Sequence, residues 1–298
     1  MKPAPISPIL KTLCACILAL AAPCILAQNY TIPVVVHVLW NSPMQNIPDG
    51  QILSGLDILN NSFNTITSEP VDTPYNAIAA NVEIEFCLAT IAPDGTSTTG
   101  IDRIETPLAM HGGVQGSYLN QWPPDRYLNI WVIAAPEFGV YQFGSFLPED
   151  AETTPYRDGI MIRNIDMGYS PVYPSGNRGI ALMAGRYLGL KLLWEDAITG
   201  GPCGDDDVND TPPCREILIC SLPTTDSCAG DLPVMVENYM TYSYCGRMFT
   251  LGQKDRIYAA LNSSVAQRND LWSSNNLGLA GCGPVGINEL ASASSLSV

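Results

Sequence analysis

The sequence predicts an α+β fold: an upper mixed sheet with two helices, and a lower, irregular, disulfide-stapled half that ends in a helix. Three observations point there. Strand and helix patterns run in the order strand, helix, strand, strand, strand through the first half of the chain. Five cysteines, Cys203, Cys214, Cys220, Cys228 and Cys245, then crowd into a loop-rich stretch, and a capped helix follows them.

At the start of the chain Lys2 and Lys11 precede or abut an apolar run from Leu13 to Leu26, which ends just before Gln28. That is the layout of a secretory signal peptide over residues 1–27, and it predicts secretion of a domain spanning residues 28–283. No later stretch reaches the roughly 20 apolar residues that a spanning helix requires, so no membrane span is expected. Ile32 to Trp40 is a nearly continuous β-branched run around His37, as expected of a strand buried on both faces. Asp49 can start a helix whose Ile52, Leu56, Leu59 and Phe63 recur at helical spacing. Val82 to Ala89 alternates apolar and polar residues, which suits a half-exposed strand, and Tyr127 to Ala134 and Gly159 to Ile162 are the remaining strand candidates.

Ile180 to Trp194 is predicted as a helix carrying Gly185 and Gly189 in its interior, at about 1 kcal/mol each relative to Ala. Residues 196–236 read as irregular. Thr250 with Gln253 then forms a capping box for a helix through Leu261. Residues 284–298 are rich in Ser and Ala and read as a flexible tail.

The charge balance excludes one class of function. Cleavage of the signal would leave 12 bases against 29 acids, moving the net charge from −15 to −17. Such a chain lacks the basic footprint that nucleic-acid binding needs. Seven cysteines remain after position 27, an odd number. Their density in an exported chain reads as disulfide stapling, since no CxxC pair or Cys-His spacing supports a zinc ribbon. Of the two histidines, His37 reads as a core residue hydrogen-bonded to backbone and His111 as a solvated loop residue.

Two segments carry a resemblance. Ala181 to Leu192, ALMAGRYLGLKL, has the frame of the zinc helix H-E-x-x-H-x-x-G-x-x-H, with Gly185 and Gly189 in place, and Glu237 to Ser243, ENYMTYS, looks like the Met-turn that underlies the zinc. Ile32 to Val38, Ile84 to Ala89, Tyr127 to Val132 and Asp207 to Pro212 resemble, in order, segments of the pappalysin family of metzincin metalloproteases. The resemblance implies a metzincin-like catalytic-domain fold with a cleft between its halves. It places the three ligand positions on Leu182, Arg186 and Leu192, and the catalytic base on Met183. A working site needs three imidazoles and a glutamate there. Leucine has no lone pair, methionine accepts no proton at neutral pH, and Arg186 puts a permanent cation where a metal should sit. The expectation is therefore a secreted protease homologue without catalytic zinc, in which Met240 and Tyr242 survive as packing beneath the cleft.

Such a homologue would bind an extended peptide or protein along an edge strand near residues 141–146 without cutting it. An active metalloendopeptidase, as the family label alone implies, and a structural or adhesive surface protein are the rival readings. The resemblance also implies the bridges Cys203–Cys228 and Cys220–Cys245. The acidic run Asp205, Asp206, Asp207 and Asp210 with Thr211 offers hard oxygens that suit calcium, and a solvated acidic loop is the equal alternative. Residues 285–298 resemble the entry to a sorting domain of bacterial type IX secretion cargo, which would place the protein on or beyond a bacterial outer surface; a plain Ser/Ala tail is the competing reading.

Overall fold

The computed structural model describes residues 30–64, 75–139, 144–174, 177–195, 203–220, 228 and 232–283. The expected signal peptide, the expected tail and part of the expected edge segment lie outside these residues.

The first strand organises the sheet. β1 (Tyr30–Trp40) is 11 residues long and pairs in parallel on both edges. On one edge its first half pairs with β3 (Ile84–Leu88) and its second half with β4 (Ile101–Glu105). Its other edge takes β5 (Leu128–Ile133), which in turn pairs with β6 (Ile160–Arg163). These ladders are parallel, and an antiparallel component enters at the edge through the bridge between Ser145 and Ile160. β1 is apolar at nearly every position because both of its faces are covered. Ile32, Val34, Val36 and Val38 join the main core, while Leu39 packs with Trp131, Ile133 and Met161 on the other side.

α1 (Asp49–Asn64) lays Ile52, Leu56, Leu59 and Phe63 into the main core, as its spacing predicts. A short antiparallel pair, β2 (Ala79–Ala80) with β7 (Phe249–Thr250), ties the region after α1 to the lower half. α2 (Pro148–Thr153) precedes β6, and α3 (Gly179–Tyr187) follows it. α4 (Leu251–Leu261) starts on the expected capping box, with both reciprocal bonds between Thr250 and Gln253 formed. α5 (Arg268–Leu271) and α6 (Ser274–Ala280) complete the described chain.

Three expectations change. The helix predicted to reach Trp194 ends at Tyr187. Gly189 therefore lies beyond the helix, at φ +88°, where a residue with a Cβ is strained. The strand β4 was not anticipated; its alternating charges, IDRIE, leave it only partly buried. His37 is buried but bonds to side chains rather than to backbone: Nδ1 lies 3.1 Å from Asp102 Oδ2 and Nε2 3.0 Å from Asn129 Oδ1. Its imidazole also stacks on Trp131. His111 is exposed, as expected of a loop residue, and there pairs with Glu137.

The Asp102 contact has a pH consequence. Its hydrogen bond with His37, aided by Asn120 and opposed by burial, holds the Asp102 carboxyl below its ordinary 3.8. A depressed carboxyl stabilises the fold above its unfolded pKa and loses that contribution as pH falls through the folded value. The stability gap between wild type and Asp102→Asn in urea titrations should thus be constant from pH 7 to 5 and shrink below about pH 4. A gap that widens in acid would contradict this assignment.

Candidate functional site

The site forms where α3 meets the turn 238–243 beneath it. Leu182 and Arg186 lie one helical turn apart and so share a face of α3. Gly185 stands between them because the helix sits against Met240: a Cβ at Gly185 would lie 2.5 Å from Met240 Sδ. Met240 is fully buried. At the end of α3 the Leu190 N–H bonds to the Gly185 carbonyl, and the left-handed Gly189 turns the chain back so that Leu192 returns to the same region. Leu193 N–H bonds to the Met240 carbonyl at 3.3 Å, which fixes this return against the turn.

The polar centre of the arrangement is an ion pair. Arg186 Nη1 and Nη2 donate to the two oxygens of Glu195 at 2.7 and 3.1 Å, a two-pronged fork. Glu195 also accepts the Leu192 N–H at 2.9 Å, so one carboxylate binds both Arg186 and Leu192. Burial acts to raise the Glu195 carboxyl, but the bonds from Arg186 and Leu192 and the charges of Arg186 and Lys191 outweigh it and hold it below its ordinary value. Glu195 lies one residue past the helix predicted to reach Trp194, and the turn at Gly189 brings it back to Arg186.

Leu182 and Leu192 are buried. Met183 faces the edge segment, since a Cβ on Gly144 would lie 2.9 Å from its sulfur. Gly144 and Ser145 run beside β6, with the Met161 N–H bonded to the Gly144 carbonyl. A cavity of about 820 Å³ opens here, lined by Met161, Ile162, Leu182, Met183, Tyr239 and Tyr242 among others. Tyr242 is half-exposed, with its ring edge-on to Trp194 at 5.3 Å, so it faces the cavity instead of packing beneath it as the sequence suggested. Two aliphatic side chains, a thioether and a guanidinium already held by a carboxylate supply no set of donors that suits zinc. The residues present do not fit that ion.

The acidic run does not converge on one point. Asp205 accepts the Asp207 N–H, Asp207 pairs with Lys191, and Asp210 accepts Thr250 Oγ1 and the Gly252 N–H at 2.7 and 2.8 Å. Asp206 is buried and accepts from Thr211 and the Val208 N–H. Burial, opposed by those bonds, pushes its carboxyl up to about 6. Among the described residues no group of three or more His, Cys, Asp or Glu side chains is gathered for a metal ion.

The structure carries Cys203–Cys228 and Cys220–Cys245, the second tying the turn region to the preceding loop. It adds Cys87–Cys282, which joins β3 to the end of α6 across 195 residues. Sequence reasoning missed that bridge because nothing local marks it. Cys214 is buried.

The Peptidase M43 family, described as Pregnancy-associated plasma protein-A, matches residues 117–262, which include α3, the turn and α4. An extracellular metalloprotease of Arthroderma benhamiae is 27% identical over 245 residues, covering 80% of this chain and 79% of its own. One of Arthroderma otae is 28% identical over 243 residues, with 79% of each chain covered. Among solved structures, mature mirolysin of Tannerella forsythia in complex with a cleaved peptide superposes with a TM-score of 0.75 at 30% identity, over 85% of this chain and 99% of that one. Mirolysin in complex with a compound gives 0.74 at 32% identity over the same shares. The α3 frame, the turn beneath it and the parallel sheet thus agree with sequence likeness along nearly the whole of a solved relative, and the chain belongs to the Peptidase M43, or pappalysin, family of metalloproteases.

Proposed function

We propose that this protein is a secreted pappalysin-type protease homologue that has lost its catalytic zinc site and binds an extended peptide in its cleft without cutting it. The observation that carries the reading is the fork between Arg186 and Glu195. Arg186 stands where the family frame calls for the second imidazole, and Glu195 holds it together with the Leu192 backbone. Its charge repels a divalent ion, and the paired carboxylate keeps it in place. Leu182 and Leu192 at the other ligand positions, and Met183 at the position of the base, complete the substitution.

Secretion follows from the expected leader over residues 1–27 and is supported by the extracellular relatives. The domain would span residues 28–283, with residues 284–298 as a tail that is either a plain Ser/Ala segment or the start of a secretion-sorting region. Peptide binding is supported by the cavity beside β6 and by the likeness to a mirolysin structure that holds a cleaved peptide. The acidic loop of Asp205, Asp206, Asp207, Asp210 and Thr211 offers hard oxygens that suit calcium, although its carboxylates also bond within the chain.

The test is metal analysis of the purified secreted protein by mass spectrometry, together with cleavage of a mixed peptide library with and without chelator. The expected result is less than about 0.1 zinc per chain and no chelator-sensitive cleavage, against near-unit occupancy for an intact three-histidine site. One zinc per chain with cleavage that a chelator stops would overturn the proposal in favour of an active metalloendopeptidase. No saturable binding of any library peptide would favour a structural or adhesive protein.

A further inference from the structure

Three of the chain's 14 basic residues, Arg163, Arg178 and Arg247, line the same cavity beside α3. In a protein of net charge −15 that concentration makes the cavity an electropositive exception. Two of the three are balanced. Arg163 Nε bonds to Asp166 at 2.5 Å, and Arg247 pairs with Glu237, which is buried. Asp166 is also occupied by the Asn177 amide at 2.8 Å, and among the described residues it is the one acidic side chain that lines the cavity.

Arg178 is different. Among the described residues its guanidinium has a carbonyl as partner, that of Gly246 at 2.9 Å, and no carboxylate. The residue is exposed and sits at the N-cap of α3. No acidic residue occupies the first turn of that nine-residue helix, so its positive dipole end adds to the same field. Around these charges part of the wall is apolar or aromatic, with Leu182, Met183, Tyr239 and Tyr242, and part is polar, with Asn177, Thr241 and Ser243. An apolar wall raises the value of a charge-assisted bond made within it.

From this geometry we infer that the cavity selects a peptide carboxylate, with Arg178 as its specificity-determining residue. The inference rests on the peptide-binding reading above and adds the class of ligand to it. An acidic residue of a peptide bound in the cavity would place its carboxylate against the Arg178 guanidinium and its methylenes against the apolar part of the wall. Long-range repulsion from the acidic surface works against any anionic peptide, so a preference for one must come from this local site.

The experiment is fluorescence anisotropy with labelled, end-blocked decapeptides that differ only in a central Glu, Gln or Lys, plus the Gln peptide with a free C-terminal carboxylate. The Glu peptide should bind about tenfold more tightly than the Gln peptide, with the Lys peptide weaker still. The Arg178→Gln variant should bring the Glu to Gln ratio to about one. Arg163→Gln serves as a second variant should Arg178→Gln alter the melting curve, and it should narrow the ratio less. A Gln peptide tightened by its free terminus would support the carboxylate preference and assign it to chain ends. Equal binding of Glu, Gln and Lys peptides would overturn this inference while leaving the peptide-binding reading standing. Failure of all four peptides to bind would overturn both.

Discussion

Replacing Arg268 by Met should cost about 3–5 kcal/mol of stability. Arg268 has no exposed surface. Its guanidinium forks onto both oxygens of the buried Asp158 at 2.9 and 2.5 Å, donates to the Tyr187 carbonyl at 3.2 Å and to the Ala266 carbonyl at 3.0 Å, and lies 3.8 Å from the centre of the Tyr187 ring. Five donors buried without partners would be costly, and here nearly all are used. Methionine keeps much of the volume and removes the charge, leaving Asp158 desolvated and alone. Tyr187 is the last residue of α3, so the loss is felt at the end of the helix that carries the cleft. Urea denaturation measures it. The double variant Arg268→Met with Asp158→Leu should recover most of the loss, because it removes the stranded charge. A single-variant loss under about 1 kcal/mol, or a double variant no better than the single one, would mean that the pair is not the buried fork described.

How much of this could be read from the sequence varies with the range of the interaction involved. Local signals were legible. The β-branched run of β1, the helical spacing of α1 and the capping box of Thr250 and Gln253 depend on neighbours a few residues apart, and they lie where the pattern puts them. The frame of α3 was legible through Gly185 and Gly189, although one of the two was misplaced. Gly189 was counted as a helix-interior cost, whereas it ends the helix, and the apolar residues from Leu190 to Trp194 mimicked a continuation because the return segment is buried as well. β4 was missed for the opposite reason. Its IDRIE pattern looks like surface, yet its Asp102 reaches across from the strand edge to a buried histidine. The Cys87–Cys282 bridge and the Arg268–Asp158 fork join residues 195 and 110 positions apart, and no pattern along the chain encodes such partners. The Arg186–Glu195 pair lies between these extremes. The two are nine residues apart, but they meet only because Gly189 reverses the chain between them.

That reversal is the basis of the second large effect. The triple variant Leu182→His, Arg186→His and Leu192→His should bind one zinc per chain, where the wild-type protein should bind none. Positions 182 and 186 share a face of α3, and the turn at Gly189 carries 192 back toward them, so three imidazoles at these positions are expected to meet one tetrahedral ion. Met240 packed beneath Gly185 keeps the floor of the site in place. Removing Arg186 leaves Glu195 a partly buried carboxylate with one backbone donor, so the variant without metal should be less stable than wild type. Adding zinc should reverse that loss, by about 4 kcal/mol at a zinc concentration a thousand times Kd. A companion variant with Glu195→Gln keeps the acceptor for Leu192 N–H and removes the stranded charge, separating the destabilisation due to Glu195 from any failure to bind metal. Zinc binding by either variant would show that three side chains set on an intact frame decide whether the protein holds the metal. A folded triple variant that binds no zinc would place the loss in the backbone itself, and Arg186 would then be a consequence of a cleft already closed to metal instead of the residue that closed it.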